Sequence, residues 1–266
     1  MSRYSEDMFT WDAQRYLTFA GERGRPFADL LARVGAADPV DVVDLGCGPG
    51  NLTRLLSEIW PNARVLGVDS SAAMIEAARR DVPGVEFELA GLRDWVARGQ
   101  QVNLLLSNAT LQWLPDHLEL LPDLAARVRP GGWLAFQVPG NFDQPSHTIR
   151  GELAAEQPYA EHTAGVAVPD SHAPAAYLDV LARAGLEPDV WETTYLHVLT
   201  GDDPVFTWVS GTGARPTLQA LPDDLRPRFE AEFKARLRAA YPDRGYGVVL
   251  PFRRIFAVAH RPEAAA

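Results

Sequence analysis

Residues 42–56 read VVDLGCGPGNLTRLL, and this stretch decides the fold class. An apolar run ends in Asp44, and glycines at 46, 48 and 50 then lead into a pattern with helical spacing. Glycine lets a backbone turn sharply and approach a ligand closely, so the stretch predicts a strand, a ligand-binding loop and a helix. The glycines fall as G-x-G-x-G, whereas a nicotinamide-binding turn normally places its third glycine one position later. Two other interpretations of this stretch are the cofactor loop of a nicotinamide dehydrogenase and a tight turn that binds no ligand.

Short apolar runs alternate with helical patterns from about residue 40 to residue 140. Such alternation is typical of repeated βαβ units that build a mostly parallel sheet. Five strands are expected here, over residues 40–45, 63–69, 85–89, 102–107 and 133–138. Beyond them the sequence predicts a helix over 174–184, a strand over 190–199 and a final strand near 253–260. The pattern therefore indicates the α/β class.

Residues 140–172 interrupt this rhythm with scattered prolines and glycines, and we interpret them as a cap over the carboxyl edge of the sheet. Further along, a helix over about 222–240 places four apolar residues four positions apart on one face: Leu225, Phe229, Phe233 and Leu237. Such a stripe favours packing against the protein's own domain over binding to a membrane or a partner.

The composition limits the classes of partner. The 266 residues carry a formal net charge of -10, which argues against a nucleic acid partner because phosphate binding needs a basic surface. The sequence has no apolar run of about eighteen residues and no amino-terminal leader, so neither a membrane span nor export is expected. Cys47 is the only cysteine, which excludes an internal disulfide and fits a reducing cytoplasm. No spacing of histidines or carboxylates suggests a metal site, and we expect a cytoplasmic monomer or weak homodimer.

Two acids, Asp44 and Asp69, suggest which ligand the glycine loop holds. Asp44 precedes the first glycine by two positions, where a carboxylate can hold an ammonium group. Asp69 ends the next strand, in VLGVDSSAAMI, where an acid can accept hydrogen bonds from both ribose hydroxyls. A ribose and an amino acid together suggest S-adenosylmethionine as the cofactor. A helix-capping or turn aspartate is the alternative for Asp44.

The same segment resembles motif I of the class I S-adenosylmethionine-dependent methyltransferases. From end to end, the chain resembles the members of that superfamily that methylate trans-aconitate. The resemblance implies an α/β, Rossmann-like fold with a seven-stranded, mostly parallel sheet flanked by helices, and a helical cap. The matching pieces are YLTFAGERGRPFADLLARV (16–34), VVDLGCGPGNLT (42–53), GVDSSAAMI (67–75), LRDW (92–95), SNATLQWLPDH (107–117), FQVPGN (136–141), VWETTYLHVLTG (190–201) and PFRRIFAVA (251–259).

The resemblance further implies a single methyltransferase domain over 1–266. Within it we expect an amino-terminal helical segment over 1–38, a cofactor-binding core over 39–140, a cap insertion over 141–172 and the carboxyl-terminal part of the sheet with substrate-side helices over 173–260. The implied activity is methyl transfer from S-adenosylmethionine to a carboxylate of a small anionic polycarboxylic acid, with trans-aconitate as the first candidate. A different acid or a secondary metabolite as acceptor, and a non-catalytic module that binds S-adenosylmethionine, are the alternatives.

The resemblance also assigns cofactor contacts residue by residue. They are Asp44, Gly46, Cys47 and Gly48 around the methionine end, Asp69 at the ribose, Asn108 near the sulfonium, Ser70, Met74, Gly91 and Leu92 on the adenine side, and Arg23 at the methionine carboxylate. Gly91 departs from the pattern, since similar enzymes place an aspartate there. Adenine recognition would then rest on the Leu92 backbone and on Arg93 and Asp94. For Arg23 and the neighbouring Arg25, a solvated surface arginine is the alternative.

Methyl transfer from a sulfonium is an in-line displacement, and a carboxylate acceptor is already ionised at neutral pH. We therefore assign no catalytic acid or base and expect the alignment of donor and acceptor to carry the reaction. A polycarboxylate does need groups that hold its other carboxylates. The candidates by position are Trp113, His147, Arg150, His197, Arg215, Arg253 and Arg254, with Trp191, Tyr195 and Trp208 as aromatic walls. Solvated or acid-paired arginines, structural histidines and core aromatics are the alternatives. His117 is expected at the surface, and a position facing the active pocket is its alternative.

Overall fold

The computed structural model describes residues 24–263, which form a seven-stranded sheet with helices on both faces. The strands are β1 (Asp41–Leu45), β2 (Arg64–Asp69), β3 (Glu86–Leu89), β4 (Val102–Asn108), β5 (Val128–Pro139), β6 (Glu187–Leu199) and β7 (Val248–His260). The helices are α1 (Arg25–Leu31), α2 (Asn51–Ile59), α3 (Ala72–Asp81), α4 (Leu92–Ala97), α5 (His117–Ala126), α6 (Pro145–Ala154), α7 (Ala160–Thr163), α8 (Pro174–Arg183), α9 (Pro204–Ser210), α10 (Arg215–Ala220) and α11 (Arg226–Ala240), with a short 3-10 helix at Leu111–Trp113.

The strands follow the order β3-β2-β1-β4-β5-β7-β6. The sheet is parallel except for β7, which runs antiparallel to both of its neighbours, β5 and β6. Every strand expected from the sequence is present, and the predicted α/β fold with a seven-stranded, mostly parallel sheet is confirmed. The strands carry apolar residues on both faces because helices cover both: Val43 and Leu45 of β1 pack into one layer, and Val42 packs into the other.

Two strands begin clearly earlier than expected, and one of them is β7, which begins at Val248 rather than near residue 253. β5 begins at Val128 rather than at residue 133. Val102 of β4 pairs with Val128 and the next pair joins Leu104 to Trp133, so β5 bulges between the two pairs. Gly131 in this bulge has a φ of +75°, a conformation that glycine adopts readily. The continuous apolar run starts only after the bulge, and periodicity therefore missed the first part of the strand.

The sheet has a helical cap with a core of its own. β5 ends where Pro139 pairs with Arg254, but β6 and β7 continue to pair as far as Leu199 with Val248, so these two strands extend beyond the carboxyl edge as a ribbon. Apolar residues of this ribbon and of α6, α9, α10 and α11 form one buried cluster, which includes Phe229 and Phe233. The expected stripe thus packs inward, although its helix begins at Arg226 rather than near residue 222.

This cap draws on two separate segments of the chain, 145–163 and 204–240. The division with a cap insertion over 141–172 stays a prediction. Over residues 24–263, every helix is too short or too polar to cross a membrane.

Candidate cofactor and acceptor site

The loop between β1 and α2 brings the predicted glycines to the carboxyl edge of the sheet. Gly46 N and Cys47 N donate hydrogen bonds of 2.7 and 3.1 Å to Val68 O, which hold the loop against β2. Gly46 and Gly48 adopt left-handed φ angles of +78° and +56°. A Cβ on Gly46 would lie 2.1 Å from Thr110 Oγ1, whereas one on Gly48 would meet no heavy atom within 4 Å. The loop is therefore packed against the protein at Gly46 and open at Gly48, where a ligand can approach the backbone.

Asp44 lies near the end of β1 and is buried, with 2% of its surface exposed. Its Oδ2 accepts a hydrogen bond of 2.7 Å from Thr53 Oγ1 in α2. Burial raises the pKa of Asp44 to about 6; the charge of Asp69 adds a smaller increase, and the Thr53 bond opposes both. An ammonium group beside this carboxylate would stabilise its ionised form and lower that pKa. The site therefore fits the ammonium end of an amino acid.

Asp69, at the carboxyl end of β2, has both carboxylate oxygens oriented by backbone donors. Gly48 N donates to Oδ2 at 2.9 Å, and Ser71 N donates to Oδ1 at 2.8 Å. An ionised carboxylate offers about four acceptor positions, so each oxygen can accept a second hydrogen bond. The half-buried carboxylate thus fits a pair of ribose hydroxyls, and together with Asp44 and the open glycine it fits S-adenosylmethionine.

The predicted adenine side is formed by residues at the starts of α3 and α4. Ser70 is exposed, while Met74 and Leu92 are half-buried. Gly91 immediately precedes α4, and a Cβ built on it would lie 2.8 Å from Asp94 Oδ2. The Asp94 carboxylate therefore lies beside the position at which the resemblance places an aspartate side chain.

Cys47 is enclosed in the same loop and is a poor nucleophile. Burial raises the pKa of its thiol well above the usual range, and the nearby charges of Asp44 and Asp69 add to the effect. A thiol in this state carries almost no reactive thiolate at neutral pH. Within residues 24–263, no three His, Cys, Asp or Glu side chains are grouped so that they could hold a metal ion.

Asn108, at the end of β4, belongs to a line of side chains across three neighbouring strands. Gln137 of β5 donates through Nε2 to Asn108 Oδ1 at 2.7 Å. Arg254 of β7 donates through Nη1 to Gln137 Oε1 at 3.2 Å, and its guanidinium lies 4.5 Å from the centroid of the Phe252 ring. Because Gln137 donates to Oδ1, the orientation of the Asn108 amide is set and its NH2 group is directed elsewhere. The line thus connects a buried arginine to the strand end where the sulfonium is expected.

The cap brings together two predicted acceptor residues, His147 and Arg150 of α6. Arg150 Nη1 donates to Thr217 Oγ1 of α10 at 3.0 Å. The His147 ring lies 5.0 Å from the ring of Phe142, and a Cβ on Gly213 would come within 2.7 Å of its Cε1. Burial and the charge of Arg150 lower the pKa of His147 to about 4, so the imidazole is neutral at pH 7.

The predicted aromatic wall and His197 lie along β6 and α9. His197 stacks on Trp208 with ring centroids 4.7 Å apart, and both His197 and Tyr195 are buried. Tyr195 donates its hydroxyl to Asp29 Oδ2 of α1; burial and that bond raise the tyrosine's pKa. Trp191 is stacked on Phe256 in the sheet's own core, which favours a structural role for it.

Three predicted acceptor residues lie apart from these groups. Arg253 is next to Arg254 on β7 and so points to the opposite face, where Nε donates to Gly140 O at 2.6 Å and Nη1 lies 3.6 Å from Glu192. Arg215 is exposed at the start of α10, and Trp113 is 37% exposed in the 3-10 helix.

Arg23, a predicted cofactor contact, lies outside the described residues, as do the first residues of the matching piece that begins at residue 16.

The expectation for His117 was wrong, because the side chain is 1% exposed rather than at the surface. Its Nδ1 lies 2.8 Å from Leu114 O, and its Nε2 lies 2.8 Å from the Tyr177 hydroxyl. A carbonyl only accepts, so Nδ1 carries the proton and Tyr177 donates to Nε2. The pair joins α5 to α8, a contact between segments sixty residues apart that no local pattern signals.

Sequence reasoning also missed Gln137, Asn141 and Ser146. Asn141 is 1% exposed and Ser146 is 2% exposed, both at the start of the cap. The available signal was FQVPGN, which contains Gln137 and Asn141 and is one of the pieces that carries the resemblance.

Comparison with known proteins identifies the family of this chain. Residues 19–188 match the family described as "Methyltransferase domain". The chain is 50% identical to a trans-aconitate 2-methyltransferase of Streptomyces coelicolor over 96% of its own length and 88% of the relative, and 50% identical to one of Azoarcus sp. over 96% of its length and all of the relative. The crystal structure of the YcgJ protein from Bacillus subtilis superimposes with a TM-score of 0.56, at 13% identity over 90% of this chain and 99% of that one, and so shares the fold. The chain therefore belongs to the methyltransferase family, within the group of the trans-aconitate 2-methyltransferases.

Proposed function

We propose that the protein transfers a methyl group from S-adenosylmethionine to one carboxylate of trans-aconitate, giving a methyl ester and S-adenosylhomocysteine. S-adenosylmethionine is the methyl donor of this class of enzyme. The acceptor is supported by the name shared by relatives about half identical over nearly the whole chain. The observation that carries the proposal is the line from Arg254 through Gln137 to Asn108, because it places a buried cation beside the strand end that faces the cofactor loop.

The cofactor contacts remain those expected from the sequence. Asp44 accepts from the ammonium group, Asp69 accepts from the ribose hydroxyls, and Asn108 lies near the sulfonium. The remaining proposed contacts are Gly46, Cys47 and Gly48 in the loop, Ser70, Met74, Gly91 and Leu92 on the adenine side, and Arg23 at the methionine carboxylate. Asp94 joins this set as an acceptor for the adenine amino group, since its carboxylate lies beside Gly91.

The reaction needs no general acid or base. The cofactor supplies an electrophilic methyl group. A carboxylate oxygen of the acceptor would take this methyl group, and the electron pair of the carbon–sulfur bond would stay on sulfur, so no proton would be transferred. Carboxylates with a pKa of about 4 are ionised at pH 7. The protein contributes alignment, which is worth about 7–11 kcal/mol when the geometry is good.

The acceptor is held by cations and enclosed by aromatic rings in this proposal. Arg254 binds a carboxylate on the sheet side, and His197, Tyr195 and Trp208 form the wall of the pocket. Trp113 and Arg215 are exposed, and we propose that they lie at the entrance of this pocket. Arg253 positions the chain after β5 through its bond to Gly140 rather than binding the acceptor directly.

Product analysis tests the proposal. Purified protein incubated with methyl-labelled S-adenosylmethionine and trans-aconitate is expected to give a singly labelled ester, detected by mass spectrometry. A panel of other acids and of hydroxylated metabolites identifies a different acceptor. If no S-adenosylhomocysteine forms with any of these compounds, the protein is a module that only binds the cofactor.

The proposal extends to the state of the protein in the cell. We infer a single-domain monomer or weak homodimer in the cytoplasm, acting on a small anionic molecule and not on nucleic acid or membranes. The single cysteine, Cys47, and the net charge of -10 support this view.

A further inference from the structure

Four polar side chains at the start of the cap are buried and have unmet hydrogen-bonding capacity. They are Asn141, Ser146, His147 and Arg150, here called the α6 cluster, with 1%, 2%, 8% and 4% of their surface exposed. Asn141 Nδ2 and Oδ1, Ser146 Oγ, His147 Nδ1 and Arg150 Nε have no hydrogen-bond partner among residues 24–263. Native proteins leave few buried polar atoms unpaired, because each one loses its hydration without compensation. Five such atoms within ten residues therefore indicate a polar ligand.

The charge of the α6 cluster indicates that this ligand is an anion. Arg150 has one hydrogen bond, to the neutral hydroxyl of Thr217. Among residues 24–263 it forms no ion pair, unlike the surface arginines of the cap, such as Arg236 with Glu156 at 2.7 Å. Burial lowers the pKa of Arg150, as expected for a cation without a counter-charge. A buried guanidinium of this kind is stabilised most by a carboxylate, which matches its planar donors.

The α6 cluster is rigidly supported from both segments of the cap. Ser146 N donates to the Tyr241 hydroxyl at 3.0 Å, which fixes the first turn of α6 against the end of α11. Gly213, before α10, packs against the His147 ring, where any side chain would collide with it. The cluster follows β5 directly, whose neighbour β4 ends at Asn108. A small molecule bound at the cluster would thus lie at the same edge of the sheet as the cofactor loop.

We propose that the α6 cluster binds a carboxylate of the acceptor that is not methylated, and thereby restricts the enzyme to acids with at least two carboxylates. This inference rests on the proposed function. Arg150 Nε, His147 Nδ1, Ser146 Oγ and Asn141 Nδ2 are the donors to that carboxylate. Arg254 on the sheet side binds a second carboxylate in this proposal, so that the two cations select the molecule by charge and by the distance between its acidic groups.

The test compares enzyme and acceptor changes in one cycle. Arg150→Met is assayed with trans-aconitate and with the three monoamides, each of which replaces one carboxylate by a neutral group. The expected result is a KM for trans-aconitate raised about 10- to 100-fold, because a charged hydrogen bond is lost. One monoamide, whose missing carboxylate is the one bound by the cluster, should be used equally well by Arg150→Met and by the wild type. Arg150→Lys keeps the charge without the planar donors, and its KM for trans-aconitate should lie between the values of the wild type and of Arg150→Met.

Arg236→Met is the matched control, since it removes an arginine of the same cap that is ion-paired at the surface and should leave all four acceptors unaffected. Folding is checked by melting temperature without ligand, which should not fall in Arg150→Met because the charge removed had no counter-charge. Titration calorimetry with S-adenosylhomocysteine should give the wild-type affinity. An unchanged KM for trans-aconitate in Arg150→Met, or an equal loss with every monoamide, would overturn the inference.

The two proposals fail in different ways. If wild-type protein does not methylate trans-aconitate, the proposed function fails. The α6 cluster is then tested by calorimetry with tricarballylate, a saturated tricarboxylate, which should bind wild type and Arg236→Met more tightly than Arg150→Met. Equal binding by all three proteins would refute the cluster as a carboxylate site.

Discussion

At the scale of single residues, Asp44 and Asp69 are the proposed contacts for two parts of one ligand, and they lie in different environments. Asp69 is half-exposed and bonded to two backbone donors, whereas Asp44 is buried with a single hydroxyl as its donor. Burial is the larger influence on Asp44 and raises its pKa to about 6. Protonation of Asp44 therefore falls close to the physiological pH range, and a cationic ligand beside the carboxylate would favour its charged form.

Cofactor affinity should depend on the protonation of Asp44. Below about pH 6 the free carboxyl is neutral and attracts an ammonium group weakly, and above that pH it is ionised, so affinity for S-adenosylhomocysteine should fall as pH drops from 7.5 to 5. Calorimetry across this range measures the effect. Asp44→Asn should bind about 10- to 100-fold more weakly at pH 7.5 and lose this pH dependence.

Asp44 should affect the stability of the ligand-free protein with the opposite pH dependence from its effect on cofactor affinity. A carboxyl whose pKa is raised on folding contributes stability that is present at low pH and lost as pH rises through about 6. Asp44→Asn, in which Thr53 can still donate to the amide oxygen, should therefore melt no lower than wild type at pH 7.5. The control Asp41→Asn changes an aspartate of the same strand that is paired with Arg129 at 3.1 Å and should leave the pH dependence of binding intact. A lower melting temperature for Asp44→Asn would contradict this account of the burial cost.

At the scale of elements, the β6–β7 ribbon and helix α11 build the cap that carries the proposed acceptor residues His147 and Arg150. The ribbon extends past the end of β5 and carries Phe252, which packs into the cap's own core. The amphipathic α11 covers that core with Phe229 and Phe233, both fully buried. The cap is therefore an independently packed layer joined to the sheet through the ribbon, and it holds α6 in place.

Loosening this layer should affect the acceptor more than the cofactor. Phe233→Ala removes a ring that contacts Phe206 and Phe229 at centroid distances of 6.0 Å and should cost about 3–5 kcal/mol of unfolding free energy. Below its melting temperature the variant should show a raised KM for the acceptor and a nearly unchanged affinity for S-adenosylhomocysteine, because Phe233 lies in the cap core and not in the sheet cores. Lys234→Ala, on the same helix with a partly exposed ion pair, is the control and should change stability by less than about 1 kcal/mol. Equal losses of both affinities would show that cap and cofactor loop are not separable.

At the scale of the whole molecule, the proposed cofactor site draws on three neighbouring strands. The loop after β1, Asp69 at the end of β2 and Asn108 at the end of β4 meet because parallel strands place their carboxyl ends on one edge. A ligand that contacts all three should stabilise the folded sheet as a unit.

Saturation with S-adenosylhomocysteine should therefore raise the stability of the whole chain. At a concentration of one hundred times Kd the expected gain is about 2.7 kcal/mol, which corresponds to a rise in Tm of roughly 5–10 °C for a chain of this size. Scanning calorimetry measures it and should show one transition that moves as a whole. Two transitions of which only one moves would indicate that the cap unfolds separately from the sheet.

The sequence by itself determined the α/β class, the positions of the first five strands along the chain and the cofactor loop. These features are local: periodicity reports which faces are buried, and the glycines with Asp44 and Asp69 are placed by short motifs at strand ends. The family resemblance added the acceptor class, and position in the predicted cap pointed to His147 and Arg150.

Only the tertiary structure decided which polar residues lack partners and which are already bonded. Arg253 and Arg254 are neighbours in sequence, yet one is bonded to Gly140 and the other to Gln137 on opposite faces of β7. His117 is buried because α8 supplies Tyr177, and the α6 cluster is enclosed because α10 and α11 pack over α6. Burial and hydrogen-bond satisfaction arise from contacts between segments far apart in the chain, so no local pattern can report them.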